Sequence, residues 1–260
     1  MAGGAVVIRV LSLGAGVQST TLALMLNKAS VDCAIFADTG WEPKRVYAHL
    51  DWLEKQLDYP VYRVSAGNLR EHTLARSNTT GGRFAAVPWF MSNGGIGRRQ
   101  CTKEYKLRPI QRKVRELLGS GRNKGGCSML IGISMDEAIR RKPSLVGYIV
   151  NRWPLLEWGM NRRDCLAWMK ERGFPIPGKS ACIGCPYHDD NAWRDLRDNS
   201  PAEWQDALEV DAAIRQQPKT NAQQFMHRSL KPLAEVDLRT HDEIGQGDLF
   251  GNECEGMCGV

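Results

Sequence analysis

The sequence predicts an α/β fold: a parallel sheet flanked by helices, with a loop-rich helical extension towards the C-terminal end. Three observations predict it. A β-branched run over residues 5–12 (AVVIRVLS) gives way to glycines and then to a helix-like apolar stretch over 20–28. A second buried-strand pattern over 31–37 (VDCAIFA) ends in Asp38-Thr39-Gly40. Strand and helix patterns then keep alternating, at a spacing that calls for right-handed crossovers between parallel strands.

The elements follow in order. Residues 43–57 have helical spacing, with Val46, Leu50, Leu53 and Leu57 on one face, and a third strand includes 61–64. Residues 68–100 contain NTTGGR and MSNGGIGRR and read as a long mobile loop or lid, a kind of segment that is often functional in compact domains. A basic helix over 106–118, a buried strand over 128–134 (SMLIGIS) and a helix over 161–172, stopped by Gly173 and Pro175, complete the pattern. The expected division is 1–177 for the α/β unit and 178–260 for a cysteine-containing extension packed on it.

With 260 residues, 42% hydrophobic and 25% charged, the chain has globular composition and the length for one large core. No apolar run approaches the roughly 20 residues that span a bilayer. The start, MAGGAVVIRVLSLGAG, lacks the basic flank and cleavage pattern of a secretory signal, so the expectation is a soluble cytoplasmic protein without a membrane partner. In a reducing compartment eight cysteines do not read as a disulfide framework, and clustered ones point to metal or catalysis. The net charge of +6 is uneven: residues 98–115 hold eight basic side chains against Glu104 alone. Such a segment attracts nucleotide phosphates or a nucleic-acid backbone, or else forms a solvated helix face.

Ser12-Leu13-Gly14-Ala15-Gly16-Val17-Gln18-Ser19-Thr20 joins the first strand to the first helix. Small residues at such a junction let backbone N–H groups approach an anion that the helix dipole favours. The loop lacks the Gly-Lys-Ser/Thr of a Walker motif, and Ser19 stands where the dinucleotide fingerprint has its third glycine. It resembles the PP-loop of the ATP pyrophosphatase and phosphoadenylyl-sulfate (PAPS) reductase superfamily, which is adenine nucleotide alpha-hydrolase-like and Rossmann-like in fold. Residues 14–19 align with that family's Ser-Gly-Gly-x-Asp-Ser, and Gln18 matches the reductases' Phe-Gly-x-Gln. Asp38-Thr39-Gly40, within FADTGWEP, matches the segment beside the adenosine. Arg99-Gln100-Cys101-Thr102 with Lys106 and Pro109-Ile110, then Gly132-Ile133-Ser134-Met135-Asp136-Glu137 with Arg140, look like successive family blocks. Trp153-Pro154-Leu155-Leu156-Glu157-Trp158 followed by Ser180-Ala181-Cys182-Ile183-Gly184-Cys185-Pro186 follows the reductase order.

The resemblance implies ATP, PAPS or adenylyl sulfate as ligand, held by the loop, by Asp38, Thr39 and Gly40, and by Arg99, Lys103, Lys106, Asp136 and Arg140, with Mg²⁺ offsetting phosphate charge. Cys182 and Cys185 form a Cys-x-x-Cys, a spacing that suits one metal or iron–sulfur centre, and Cys101 is flanked by Arg98, Arg99 and Lys103, cations that favour a thiolate. By resemblance these three thiolates converge on a [4Fe-4S] cluster. The related reductases have a Cys-Cys pair where this chain has Cys101 alone, so the fourth ligand is open, with Cys258 and Cys254 as candidates. The tail Glu253-Cys254-Glu255-Gly256-Met257-Cys258-Gly259 also resembles the reductase tail Glu-Cys-Gly-Leu-His, whose cysteine attacks the activated sulfur. Here the histidine is missing and a second cysteine is present, so Cys254 and Cys258 are candidates for catalysis, a redox pair or ligation. Cys33, Cys127 and Cys165 read as buried small hydrophobes. His188 is a ligand or a surface residue, and His227 with Arg228 meets phosphate or is structural.

Three activities are consistent with these residues. One is ATP-dependent sulfur insertion into DNA or tRNA, similar to the ATP pyrophosphatases of DNA phosphorothioation and tRNA thiolation, with a sulfur donor such as a cysteine desulfurase. Another is reduction of PAPS or adenylyl sulfate to sulfite, with thioredoxin as electron donor. The third is a zinc-stabilised nucleic-acid-binding module without catalysis, which leaves the glycine loop and Asp38-Thr39-Gly40 unexplained.

Overall fold

The computed structural model describes residues 7–77, 87–119, 125–215, 222–239 and 243. Its centre is a five-stranded parallel sheet of β1 (Val7–Leu13), β2 (Cys33–Asp38), β3 (Val61–Ser65), β5 (Gly126–Ile131) and β6 (Ile149–Arg152), in the order β3-β2-β1-β5-β6. The expected α/β fold is therefore present. Strand β6, which follows a Gly-containing turn and is four residues long, has no strand pattern in the sequence.

Alternate residues of the central strands enter two cores. On one face Leu11, Leu13, Ala34 and Phe36 pack with helices α1 (Val17–Met25), α2 (Lys44–Glu54) and α6 (Arg162–Glu171). On the other, Val10, Ile35, Cys127 and Met129 pack with Ile110 and Val114 of α4 (Arg108–Leu117). Both faces of the sheet are covered, which is why its strands read as continuous apolar runs rather than alternating ones. Cys33, Cys127 and Cys165 are buried in these cores, and burial raises each thiol's pKa, to about 11, 12 and 11.

The expected lid is more ordered than its composition indicates. Asn68 caps α3 (Leu69–Leu74) by accepting from the Glu71 N–H, and strand β4 (Phe90–Met91) pairs antiparallel with β7 (Gln224–Phe225). Trp89 beside it is fully buried. Residues 78–86 of this segment lie outside the described residues. Helices α7 (Asp190–Asn199) and α8 (Pro201–Arg215) form a third apolar cluster, in which Trp193, Trp204 and Ile214 meet Trp41, Leu69, Trp89 and Tyr105. Asp211, buried within α8, accepts from the Met226 and Leu233 N–H groups at 3.0 and 2.8 Å and pairs with Arg215, so the chain after α8 is pinned to it. Among the described residues no helix is long and apolar enough to cross a membrane.

Candidate functional site

The sheet order makes β1 the switch point, with β2 on one side and β5 on the other. Ligands of open parallel sheets bind in the crevice at the carboxyl ends of such strands. Strand β1 runs directly into the glycine loop there. Ala15 takes a left-handed conformation, φ 54°, and Gly16 caps α1, its N–H donating to Ser19 Oγ and its carbonyl accepting from it, both at 3.1 Å. Ser180 Oγ donates to the Gly14 carbonyl, so the segment leading to Cys182 is strapped onto the loop. Where β5 ends, Gly132 passes against the Ser19 backbone.

A cavity of about 600 Å³ opens over this loop, a size typical of small-molecule sites. Ser12, Gly14, Gly16, Gln18 and Ser19 form its floor; Arg45, Lys106, Arg140, Arg162 and Lys179 bring cations to its walls. Carboxylates also face it: Glu137 pairs with Arg140 at 2.6 Å, Asp195 pairs with Arg45, and Glu42 and Asp189 complete the acidic set. Gln18 is held at both ends of its amide. Arg162 Nη1 donates to Gln18 Oε1 at 3.0 Å, Gln18 Nε2 donates to Ser134 Oγ at 3.4 Å, and the Arg162 backbone N–H is anchored on Asp136 Oδ1 at 2.9 Å.

A smaller cavity of about 50 Å³ adjoins it, lined by Thr39, Arg99, Cys101, Cys182 and Cys185 among others. Thr102, Lys106 and Ser180 belong to the walls of both cavities. Two of these, Thr102 and Lys106, lie on a π-helical turn, Thr102–Leu107, that continues into α4. Such turns are rare and gather at functional sites. Between the cavities lies Glu42, 4% exposed. Its Oε1 accepts from Thr39 Oγ1 at 3.1 Å and lies 3.5 Å from both Lys106 Nζ and Cys182 Sγ. Its Oε2 is buried without a hydrogen-bond partner.

Burial pushes the Cys182 and Cys101 thiols up, Cys182 further through the neighbouring Glu42 carboxylate, while Lys106 opposes both shifts. At Cys101 burial thus works against the cations beside it, Lys106 and Arg99, which favour the thiolate. The donor chemistry of three cysteines on one cavity suits an iron–sulfur or zinc centre. As placed, however, no three His, Cys, Asp or Glu side chains among the described residues form a ligand set. His188 is buried rather than exposed, with Nε2 3.0 Å from the Cys182 carbonyl, and burial drives its pKa down to about 4, leaving the ring neutral. His227 lines neither cavity and pairs with Asp190 at 3.1 Å and with Ser229 at 2.8 Å.

The remaining expected residues divide. Val17 lines the larger cavity, and Arg99 lines the smaller one with its guanidinium 5.2 Å from the Tyr187 ring centre. Ala15 shapes the loop without lining it, and Thr20 is buried with Oγ1 3.0 Å from His49 Nε2. Asp38 and Gly40 line neither cavity: Asp38 Oδ1 accepts from the Gly40 N–H and the Tyr47 hydroxyl, both at 2.7 Å, and so shapes the turn after β2. Lys103 is exposed, and Asp136 acts on the cavity through Arg162. Cys254 and Cys258 lie outside the described residues. Sequence reading does not single out Glu42, Arg45, Arg162 or Lys179 as site residues. Glu42 directly follows the Asp38-Thr39-Gly40-Trp41 segment, the one available signal; Arg45 and Arg162 are first-turn helix residues indistinguishable in sequence from solvated ones.

No protein-family model matches the chain, and no characterised protein matches it in sequence. Among solved structures it is similar to the phosphoadenylyl-sulfate (PAPS) reductase from Candida auris in its phosphate complex, with 16% identity and a TM-score of 0.42, over 66% of this chain and 74% of that one. The five-stranded parallel sheet with helices on both faces is the α/β architecture that the sequence predicts.

Proposed function

We propose that the protein is an adenine-nucleotide-dependent sulfur enzyme that activates an oxygen of a nucleic acid with ATP and replaces it with sulfur. The observation that carries this reading is the shared wall: Thr102, Lys106 and Ser180 border both the cavity over the glycine loop and the cavity of the three cysteines. An oxygen activated in one is thus one layer of side chains from the thiols of the other. The acceptor oxygen attacks the ATP α-phosphorus, forming a P–O bond while the bond to the β-phosphate oxygen breaks and pyrophosphate leaves. A sulfur nucleophile then attacks the atom that bears the activated oxygen, a base carbon in tRNA or a backbone phosphorus in DNA, forming a bond to sulfur as the bond to that oxygen breaks and AMP departs with it.

In this scheme the loop N–H groups hold the phosphates and Lys106, Arg140 and Arg162 offset charge as pyrophosphate departs, a task that Mg²⁺ bound with the nucleotide would share. Asp38, Thr39 and Gly40 set the turn beside the adenosine. Cys101, Cys182 and Cys185, with Cys254 or Cys258 as a further ligand, would hold an iron–sulfur centre, whose chemistry is to carry sulfur. A cysteine desulfurase would supply that sulfur.

The test is anaerobic incubation with ATP, a labelled sulfur donor and DNA or tRNA acceptors, following pyrophosphate and label together. Both are expected with one acceptor class. Sulfite formed from PAPS or adenylyl sulfate with thioredoxin, without ATP, would assign the site to reduction instead. Zinc without iron or sulfide in anaerobically purified protein would remove the cluster.

A further inference from the structure

We infer that a single-stranded polynucleotide docks on the outer face of α4 and the neighbouring segment 141–153, along a cationic path whose two ends meet the wall of the nucleotide cavity. The inference rests on the proposed nucleic-acid acceptor and gives it a surface.

Arg108, Arg112 and Arg115 are exposed and succeed one another at helical spacing, and none has a carboxylate partner among the described residues. Several other surface arginines are neutralised locally, Arg9 by Asp32, Arg63 by Asp51 and Glu54, Arg152 by Glu157, Arg239 by Asp237, and the exposed Arg98 and Arg163, which are not, stand singly rather than in a row along one helix face. Of the acids near the stripe, Glu116 is taken by Lys113 at 2.7 Å and Glu137 by Arg140 at 2.6 Å. Glu104, half-buried, precedes it by one turn. A helix face that keeps three guanidinium groups without counter-charges presents a binding surface for a polyanion.

The stripe is continuous with the cavity at both ends. On the inner side of the same helical segment, Lys106 lines the cavity. At the other end the Arg115 guanidinium lies 5.3 Å from the Tyr148 ring centre, and the Tyr148 hydroxyl donates to the Gln111 carbonyl at 3.2 Å, which joins α4 to the 141–153 segment. That segment begins with Arg141, 5.7 Å from the Trp153 ring centre, and Lys142, both exposed and directly after cavity-lining Arg140. From 108 to 115 a helix advances about 10 Å, the rise of roughly three nucleotides along one strand. The strand is single because the reacting nucleotide must leave any stack to enter the cavity, and a stacked duplex base does not reach such a pocket. Tyr148 and Trp153, half-buried beneath their arginines, offer stacking surface that a single strand can use.

The experiment is fluorescence anisotropy of labelled single strands of about 12 nucleotides, a length that exceeds the stripe and matches known single-strand site sizes, and of their duplex, titrated with the full chain at several salt concentrations. The Arg108→Ala/Arg112→Ala/Arg115→Ala protein is compared with wild type, with the triple lysine variant and with Lys170→Ala as a distant control. The expected result is preference for the single strand and at least a tenfold loss of affinity in the alanine triple at about 100 mM salt, its log–log salt slope shallower by about 2. The lysine triple and the control retain most binding, and ATP affinity is unchanged throughout. Equal affinity of wild type and alanine triple for the single strand, or a wild-type preference for the duplex, overturns the inference. If the strand binds through the stripe but no pyrophosphate is released, the dock stands and sulfur insertion fails. If acceptor-dependent pyrophosphate release survives in the alanine triple unchanged, the dock fails and sulfur insertion stands.

Discussion

Gly132 stands directly against the backbone of Ser19: a β-carbon built on it would lie 2.8 Å from Ser19 Cα and 2.9 Å from Ser19 N. The end of β5 and the first turn of α1 therefore meet without a side chain between them, and the glycine loop is held from below. Gly132→Ala forces the loop to move. Overpacking of this kind costs about 1–3 kcal/mol, so the melting temperature should fall by roughly 2–10 °C. ATP affinity should fall at least tenfold, beyond what the stability loss explains, as read by titration calorimetry well below the melt.

Arg162 Nη1 is fixed on Gln18 at the cavity floor. Hydrogen bonds to charged groups are worth about 1.5–3 kcal/mol. Arg162→Ala should therefore raise the dissociation constant for ATP roughly tenfold to a hundredfold with little change in melting temperature. Lysine at the same position restores part of this, because it returns the charge and not the fork. An unchanged affinity in the alanine variant would show that the guanidinium does not meet the nucleotide.

Glu42 brings a carboxylate to the wall of the larger cavity while it holds Lys106 and Thr39. A unit charge about 10 Å from a phosphate, at an effective dielectric near 20, is worth roughly 1–2 kcal/mol. Glu42→Gln keeps an acceptor for Thr39 and removes the charge, so ATP should bind about tenfold more tightly. Glu42→Ala leaves buried donors unsatisfied and should cost about 1–3 kcal/mol in urea denaturation. Weaker ATP binding in the glutamine variant would show that the carboxylate helps the nucleotide rather than opposing it.

His49 sits between α2 and α1, with Nε2 3.0 Å from Thr20 Oγ1, and burial lowers its pKa from 6.5. The folded protein favours the neutral ring, so this contribution to stability is complete above pH 6.5 and diminishes as pH falls towards the lowered folded pKa. Wild type should lose more melting temperature than His49→Gln when pH is lowered from about 7.5 to about 5.5, a window that spans the unfolded histidine pKa. Equal losses in the same buffers would remove His49 as the source.

Apolar runs make β1, β2 and β5 legible, because strands at the centre of a parallel sheet buried on both faces must be built from such residues, whereas β3, at the edge, has no buried residue and is legible only from its valines. Helix α6 is legible from its periodicity and from Gly173 after it. Strand β6 is not: it has four residues, and Val150, at 65% exposed, carries no inward pattern. The order inside 68–100 is hidden from the sequence because Trp89 owes its burial to α7 and α8, more than a hundred residues away. In the site, loop residues can be found because backbone geometry restricts them to small side chains. Arg45, Arg162 and Lys179 cannot, since a cation in a first helical turn or loop is the same in sequence whether it faces water or a cavity. Asp38 reads in sequence as a nucleotide contact, whereas its carboxylate is turned to Gly40 and Tyr47.

The π turn at Thr102–Leu107 has a consequence for how the chain tolerates length changes. A π turn carries about one residue more than the α-helical turn it replaces, and each residue removed from a helix rotates the downstream residues by about 100°. Deleting one residue there would let the helix wind normally, but only by swinging either Cys101 or Lys106 out of alignment with the other. The segment behaves as a spacer whose phase is fixed by two separate chambers, so a single-residue deletion should uncouple them even where every remaining side chain is unchanged.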